Sequence, residues 1–255
     1  MATALITGGT SGIGAAFARV LATRGNDLVL VARDADRLAS FAAELSAAHQ
    51  VRVETITADL AVREDVLRVA NRVEDADHPV DMLVNNAGFG LHAKLLDRDV
   101  AVHEHALDVM CLAVLILGGA AGRAMQKRGQ GRIINVASLA AYIAQGHYSP
   151  IKAWVLSYTE GLANELHGTG VTVTALCPGW VKTEFHERAG IRTSAIPGWV
   201  WVDADRVARE TLRDAEKGNV ISVPTKRWKL TRFLAVHAPR SAVRLASRML
   251  TKSRD

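Results

Sequence analysis

Tyr148 and Lys152 stand four residues apart in Tyr148-Ser149-Pro150-Ile151-Lys152. On a helix that spacing puts both side chains on one face. A free phenol, with a pKa near ~10, holds its proton too tightly to exchange it well near neutral pH. A neighbouring ammonium favours the phenolate and lowers that value. The pair could therefore exchange a proton with a substrate oxygen, although the spacing alone also describes two residues on a surface helix. Ser138 closes Asn135-Val136-Ala137-Ser138, ahead of the tyrosine. Its hydroxyl could hydrogen-bond an oxygen on which charge develops, or could simply cap a turn. A third candidate is Thr7-Gly8-Gly9-Thr10-Ser11-Gly12-Ile13-Gly14. Glycines there allow a sharp turn and a close approach to a pyrophosphate, and a helix start behind them offers free N–H groups. The spacing G-x-x-x-G-x-G differs from the usual G-x-G-x-x-G, and a tight turn without a ligand is the plainer alternative.

These residues need elements to position them. Strands are expected at Ala4–Thr7, Asp27–Ala32, Val51–Thr57, Met82–Asn85, Arg132–Ala137, Val171–Cys177 and Val220–Val223. Unbroken apolar runs such as Leu28-Val29-Leu30-Val31 suit strands buried on both faces. Helical windows lie between them at Ala15–Arg24, Asp36–Ala48, Arg63–Asp75, Val100–Gln126 and Ile151–His167. The alternation predicts a doubly wound α/β fold. Its sheet would be seven-stranded and mostly parallel, with helices on both faces.

The chain has 255 residues, 49% hydrophobic and 22% charged. That excludes a disordered chain and a disulfide scaffold. Cys111 and Cys177 sit in apolar runs, as buried thiols of a reducing compartment do. No signal peptide and no membrane span is expected, and no His/Cys/Asp/Glu group has metal-ligand spacing. The net charge of +5 is uneven. Residues 219–255 hold 9 Lys/Arg and 1 acid, net +8, which leaves 22 and 25, net −3, for the first 218. The basic character belongs to a tail, not to a nucleic-acid cleft.

Four motifs in order, Thr7–Gly14, Asn85-Asn86-Ala87-Gly88, Tyr148–Lys152 and Pro178-Gly179 with Thr183, resemble those of the classical short-chain dehydrogenases/reductases. The resemblance spans roughly residues 3 to 185 and implies a Rossmann fold binding a nicotinamide cofactor. It implies that Tyr148 is the general acid for reduction and general base for oxidation. Ser138 would hold the substrate oxygen, and Lys152 the nicotinamide ribose. Cofactor contacts would come from Gly8, Thr10, Ser11, Gly12, Ile13, Gly14, Asp59, Leu60, Asn86, Ala87, Gly88, Pro178, Gly179, Val181 and Thr183. NAD-dependent members carry an acid at the end of the second strand. Here Ala32 occupies that position and Arg33 follows, where a guanidinium can meet a 2′-phosphate. NADP(H) is therefore expected over NAD(H), with Asp34 as the contrary feature. The family also implies a homodimer or homotetramer.

Two departures stand out. The segment Leu139–His147 is short for the family, so a more open substrate mouth is expected. Met110 falls where the family has an asparagine of its proton relay, which implies a weakened relay. The expected domain, residues 1–224, includes a substrate loop at about 185–202. Its Phe185, Ile191, Ile196, Pro197, Trp199, Val200 and Trp201 suggest an apolar substrate, or packing on the protein's own core. Phe89, His92 and His147 are further pocket candidates. Residues 225–255 are expected to form a basic extension. Arg240, Arg244 and Arg248 make one helix stripe, with Val243, Leu245, Met249 and Leu250 as apolar surface, so peripheral membrane contact by a cytoplasmic protein is one expectation. Packing on a neighbouring subunit and a solvated arm are the others. The leading expectation is an NADPH-dependent carbonyl reductase, reversible as an alcohol dehydrogenase, acting on an apolar ketone such as a β-ketoacyl ester. The alternative is a nucleotide-binding sensor or scaffold with little turnover.

Overall fold

The computed structural model describes residues 1–91, 93–184 and 197–252, with side chains as far as residue 248. His92, Phe185, Ile191 and Ile196 lie outside the described residues, as do the side chains of Met249 and Leu250. Seven strands form one sheet: β1 (Thr3–Thr7), β2 (Asp27–Ala32), β3 (Val53–Thr57), β4 (Met82–Asn85), β5 (Gly131–Val136), β6 (Val171–Leu176) and β7 (Ile221–Ser222). Their order is β3-β2-β1-β4-β5-β6-β7 and every neighbouring pair is parallel. The order reverses between β1 and β4, which opens a crevice at the carboxyl ends of the strands.

The apolar runs behave as two-faced strands. Ala4, Ile6, Leu28 and Leu30 pack with α1 (Gly12–Thr23), α2 (Ala35–His49) and α7 (Ala204–Glu216) on one face. Leu5, Val29 and Val31 pack with α3 (Arg63–Glu74), α4 (Ala101–Leu107), α5 (Ala113–Arg128) and α6 (Tyr148–Glu165) on the other. The fold is the expected doubly wound one, and its sheet is parallel throughout. Ends are fixed locally. The Asp34 carboxylate accepts from Arg37 N at 3.0 Å to cap α2, and Gly129, with φ 73°, closes α5, a position that costs glycine little.

Two findings go beyond the sequence reading. Residues 101–128 form one continuous helix, α4 and α5 joined by a π-helical turn at Asp108–Leu112, long and apolar enough to cross a membrane. About 61% of its most apolar window is buried in the fold, so its apolarity serves the core. The basic tail forms two helices, α8 (Lys226–His237) and α9 (Arg240–Lys252). Val243 and Ser247 of α9 are buried, and the Ser247 hydroxyl accepts from Ala144 N at 3.1 Å. The arginine stripe is exposed on the remaining surface.

A buried polar chain ties sheet to helix. Asn85 Nδ2 donates to Asn135 Oδ1 at 2.9 Å, Asn135 Nδ2 donates to Thr159 Oγ1 at 3.0 Å, and Thr159 donates to Val155 O at 2.6 Å. It joins β4, β5 and α6, so it sets where α6 presents its first turn. Asn135→Val would leave the Asn85 amide buried without this partner. The expected loss of unfolding free energy is about 1–3 kcal/mol, measured by urea denaturation.

Candidate active site

The glycine turn begins where β1 ends. Thr7 Oγ1 accepts from the backbone N–H groups of Asn86 and Ala87 at 2.9 and 3.0 Å. In return Asn86 Nδ2 donates to the carbonyls of Thr7 and Gly8 at 2.9 and 3.1 Å. This exchange locks the turn after β1 to the loop after β4 across the crevice. Gly8 and Gly12 have φ of 62° and 53°, a left-handed region that favours glycine. A Cβ on Gly14 would collide with Gly8 O, so that glycine lets α1 start close beneath the turn.

A single cleft of about 1130 Å³ runs along this edge. It is lined by Gly8, Thr10, Ser11, Gly12, Ile13, Arg33, Asp59, Leu60, Asn86, Ala87, Gly88, Ser138, Tyr148, Lys152, Pro178, Gly179, Val181 and Thr183. Every candidate site residue therefore meets here except Gly14, which supports the turn from behind. Phe89 also lines the cleft; His147 does not, and hydrogen-bonds His103 instead, Nδ1 to Nδ1 at 2.8 Å. Among the described residues of the substrate segment, none from Pro197 to Val202 lines it. Trp201 packs edge-on against Trp180, which does.

Tyr148 and Lys152 share the first turns of α6, as their spacing requires. Their electrostatics correct the sequence expectation. Burial holds the Tyr148 phenol well above its usual range, while a hydrogen bond with Ser138 works the other way. The Lys152 ammonium lies 5.6 Å from the phenol ring centre and donates to Val136 O at 2.8 Å. Lys152 is only 5% exposed, and burial brings its pKa down to about 8. Desolvation disfavours both charged forms, and it outweighs the attraction expected from spacing alone.

Met110 sits in the π-helical turn, 1% exposed. Its sulfur packs beside Gly88, where a Cβ would stand 3.1 Å from Sδ and 3.8 Å from Lys152 Nζ. The position thus adjoins the lysine, but it offers a thioether where an amide was expected.

Several lining residues were not foreseen, Arg37, Trp228 and Arg232 among them. Arg37 donates from Nε to Thr10 O at 3.1 Å and pairs with Glu184 at 2.8 Å, bridging the glycine turn to the segment after β6. Its position on the first turn of α2, four residues past Arg33, was the available signal. Trp228 and Arg232 of α8 line the cleft as well, and were read as part of a separate tail. The indole lies so close on Gly179 that a Cβ there would overlap it. The expected open mouth is thus covered on this side by α8. Arg227 holds that helix down by donating to the carbonyls of Trp199 and, at 2.9 Å, Trp201.

Comparison with known proteins agrees with this architecture. The short chain dehydrogenase family model matches residues 2–192, and the chain belongs to that family. An uncharacterized oxidoreductase of Staphylococcus saprophyticus is 37% identical over 183 residues, 71% of this chain and 78% of that protein. A short-chain dehydrogenase from Sphingobium yanoikuyae, solved in complex with NADPH, superimposes with a TM-score of 0.85 at 31% identity, covering 95% of this chain and 94% of its own. A bulky-bulky ketone specific alcohol dehydrogenase from Comamonas testosteroni does so at 0.79 and 27% identity, covering 94% and 96%. The protein is an oxidoreductase of this family, whose members use a nicotinamide cofactor.

Lys152 loses its proton near pH 8 in the folded protein but near ~10.5 when unfolded. Between those values the unfolded chain binds more protons, so the lysine's destabilising burial is relieved as pH rises. Relative to Lys152→Met, the natural protein is expected to gain on the order of 3 kcal/mol between pH 8 and 10.5. Denaturant melts of both across that range measure it, and a gap that stays flat would show an unshifted lysine.

Proposed function

We propose that this protein is an NADPH-dependent carbonyl reductase, reversible as an alcohol dehydrogenase, acting on an apolar ketone. The observation that carries the reading is that Ser138, Tyr148 and buried Lys152 line the same cleft as the glycine turn. The cradle fits a dinucleotide. The glycine backbone at Gly8 and Gly12 lies open to the cleft, α1 starts behind it, and the cleft reaches from Arg33 to Tyr148.

When bound, the nicotinamide supplies or accepts the hydride at its C4. Ser138 donates a hydrogen bond to the substrate carbonyl oxygen and orients it beside the phenol. Tyr148 then gives that oxygen its proton. Its raised pKa keeps it protonated at neutral pH, the form that reduction needs. Lys152 holds the cofactor ribose and places a positive charge close to the phenolate left behind. Oxidation of an alcohol reverses the transfer, with Tyr148 taking the proton back. Leu139, Ile143, Phe89, Trp180 and Trp228 line the walls and keep water from the reacting oxygen.

Cofactor choice rests on Arg33. It is exposed on the cleft wall after β2, where no acid stands at Ala32. Asp34, the contrary feature, uses its carboxylate to cap α2. The relative from Sphingobium yanoikuyae was solved with NADPH. We also propose a homo-oligomer, as is common in the family, with the catalytic residues in the body and α8 of the basic extension over its substrate side. The sensor reading keeps Met110 as its support.

Three variants test these assignments. Tyr148→Phe is expected to lower ketone turnover by about 10²–10⁴-fold while NADPH still quenches tryptophan fluorescence. Unchanged activity would remove the phenol from the mechanism. Arg33→Ala is expected to weaken NADPH at least about tenfold relative to NADH, the size of one charge-assisted contact. Met110→Asn is expected to raise turnover modestly, and a fall would show a turn adapted to the thioether.

A further inference from the structure

The acids lining the cleft all lie on the cofactor side, and each already has a role. Asp34 caps α2, Asp59 accepts from Ala61 N at 3.0 Å, and Glu184 pairs with Arg37. The substrate side, beyond Ser138 and Tyr148, carries Arg232 and Lys94 and no described acid. Arg232 enters from α8, half-buried, one turn past Trp228. Its Nε donates to Tyr142 Oη at 2.9 Å, and its guanidinium carbon lies 5.4 Å from the centre of that ring. Among the described residues no carboxylate pairs with it.

A guanidinium has five donors in a planar fork. Tyr142 takes one, which leaves the Nη edge without an acceptor among the described residues. Trp228 Nε1, on the same face of α8, is also buried without a hydrogen-bond partner among them. Arg232 lines the cleft, so this edge is available to a ligand there. A carboxylate matches the fork in shape and sign. The neighbouring walls, Leu139, Ile143 and Trp228, are apolar.

We propose that Arg232 is a specificity-determining residue that anchors a carboxylate at the far end of an apolar ketone, so that the substrate is a keto acid. This rests on the reductase reading and names its substrate class. Arg232 exchanges no proton. It fixes the end of the molecule remote from the carbonyl, and its effect falls on KM more than on kcat.

The test uses a series of benzoylalkanoates of increasing chain length, each beside its methyl ester, with full-length protein and NADPH. One chain length is expected to show an acid-to-ester ratio of kcat/KM of at least about tenfold. Arg232→Gln is expected to collapse that ratio through KM, and Arg232→Lys to restore part of it, since it keeps the charge but not the fork. NADPH affinity, read by fluorescence, reports that each variant is folded. No acid preference at any length would overturn the anchor, as would equal losses on acid and ester in Arg232→Gln, which would make Arg232 only a support for Tyr142. Calorimetric binding of the acids to the NADPH-loaded protein separates the two readings. Acid binding that depends on Arg232 without turnover would sustain the anchor and refute the reductase. Turnover without acid preference would do the opposite.

Discussion

A lysine ammonium buried beneath the catalytic edge of the sheet is the constraint on which the rest of this structure depends. Lys152 has lost most of its water, and its hydrogen bond to Val136 O at the end of β5 replaces part of that loss. Such a charge is tolerated only where an oriented carbonyl is already in place. The first turns of α6 must therefore lie over the end of β5. The Asn85–Asn135–Thr159 chain holds them there from below. Ser138, two residues past Val136, then falls beside Tyr148, four residues before the lysine. One costly cation thus brings strand end, serine and phenol together.

The second half of the cleft is built by a different device. Thr7 and Asn86 exchange hydrogen bonds across the switch point, making the glycine turn and the loop after β4 one unit. Arg37 and Glu184 carry the same connection toward the segment after β6. The backbone of the turn is therefore held by Asn86 on one side and by Arg37 on the other. This preorganisation leaves little ordering to be done when a dinucleotide enters. The other wall belongs to α8, whose Trp228 rests on Gly179 and whose Arg232 rests on Tyr142. The C-terminal segment, distinct in charge, is continuous with the body in space.

Most of the fold was legible in sequence because its strands are buried on both faces and announce themselves as unbroken apolar runs. Leu28 to Val31 could hardly have been anything else between two helical windows. The shortest strand, Ile221–Ser222, was overextended to Val220–Val223, because a two-residue pairing has no periodicity to read. The 101–128 helix was foreseen, but not its π-helical turn, which depends on packing against the sheet and leaves no composition signature. In the site, the glycine turn, Asn86, Ser138, Tyr148 and Lys152 were legible because their chemistry requires fixed residue types at fixed spacing. Trp228 and Arg232 were missed because they arrive from an element remote in sequence, with no local pattern; Arg37, one turn past Arg33, was missed although its position offered a signal.

Sequence by itself determined which groups could do chemistry: a phenol and an ammonium on one helical face, a serine at a strand end, glycines where a backbone must turn. These are local facts, set by spacing and side-chain type. Tertiary structure decided their electrical state. Spacing alone predicted a phenol made acidic by its lysine. Burial instead raised the phenol and brought the ammonium down to about 8, because desolvation is a property of everything packed around a group. The same holds for the tail. Its charge could be counted in the chain, but only the packing of α8 over the cleft turned part of that charge toward the substrate.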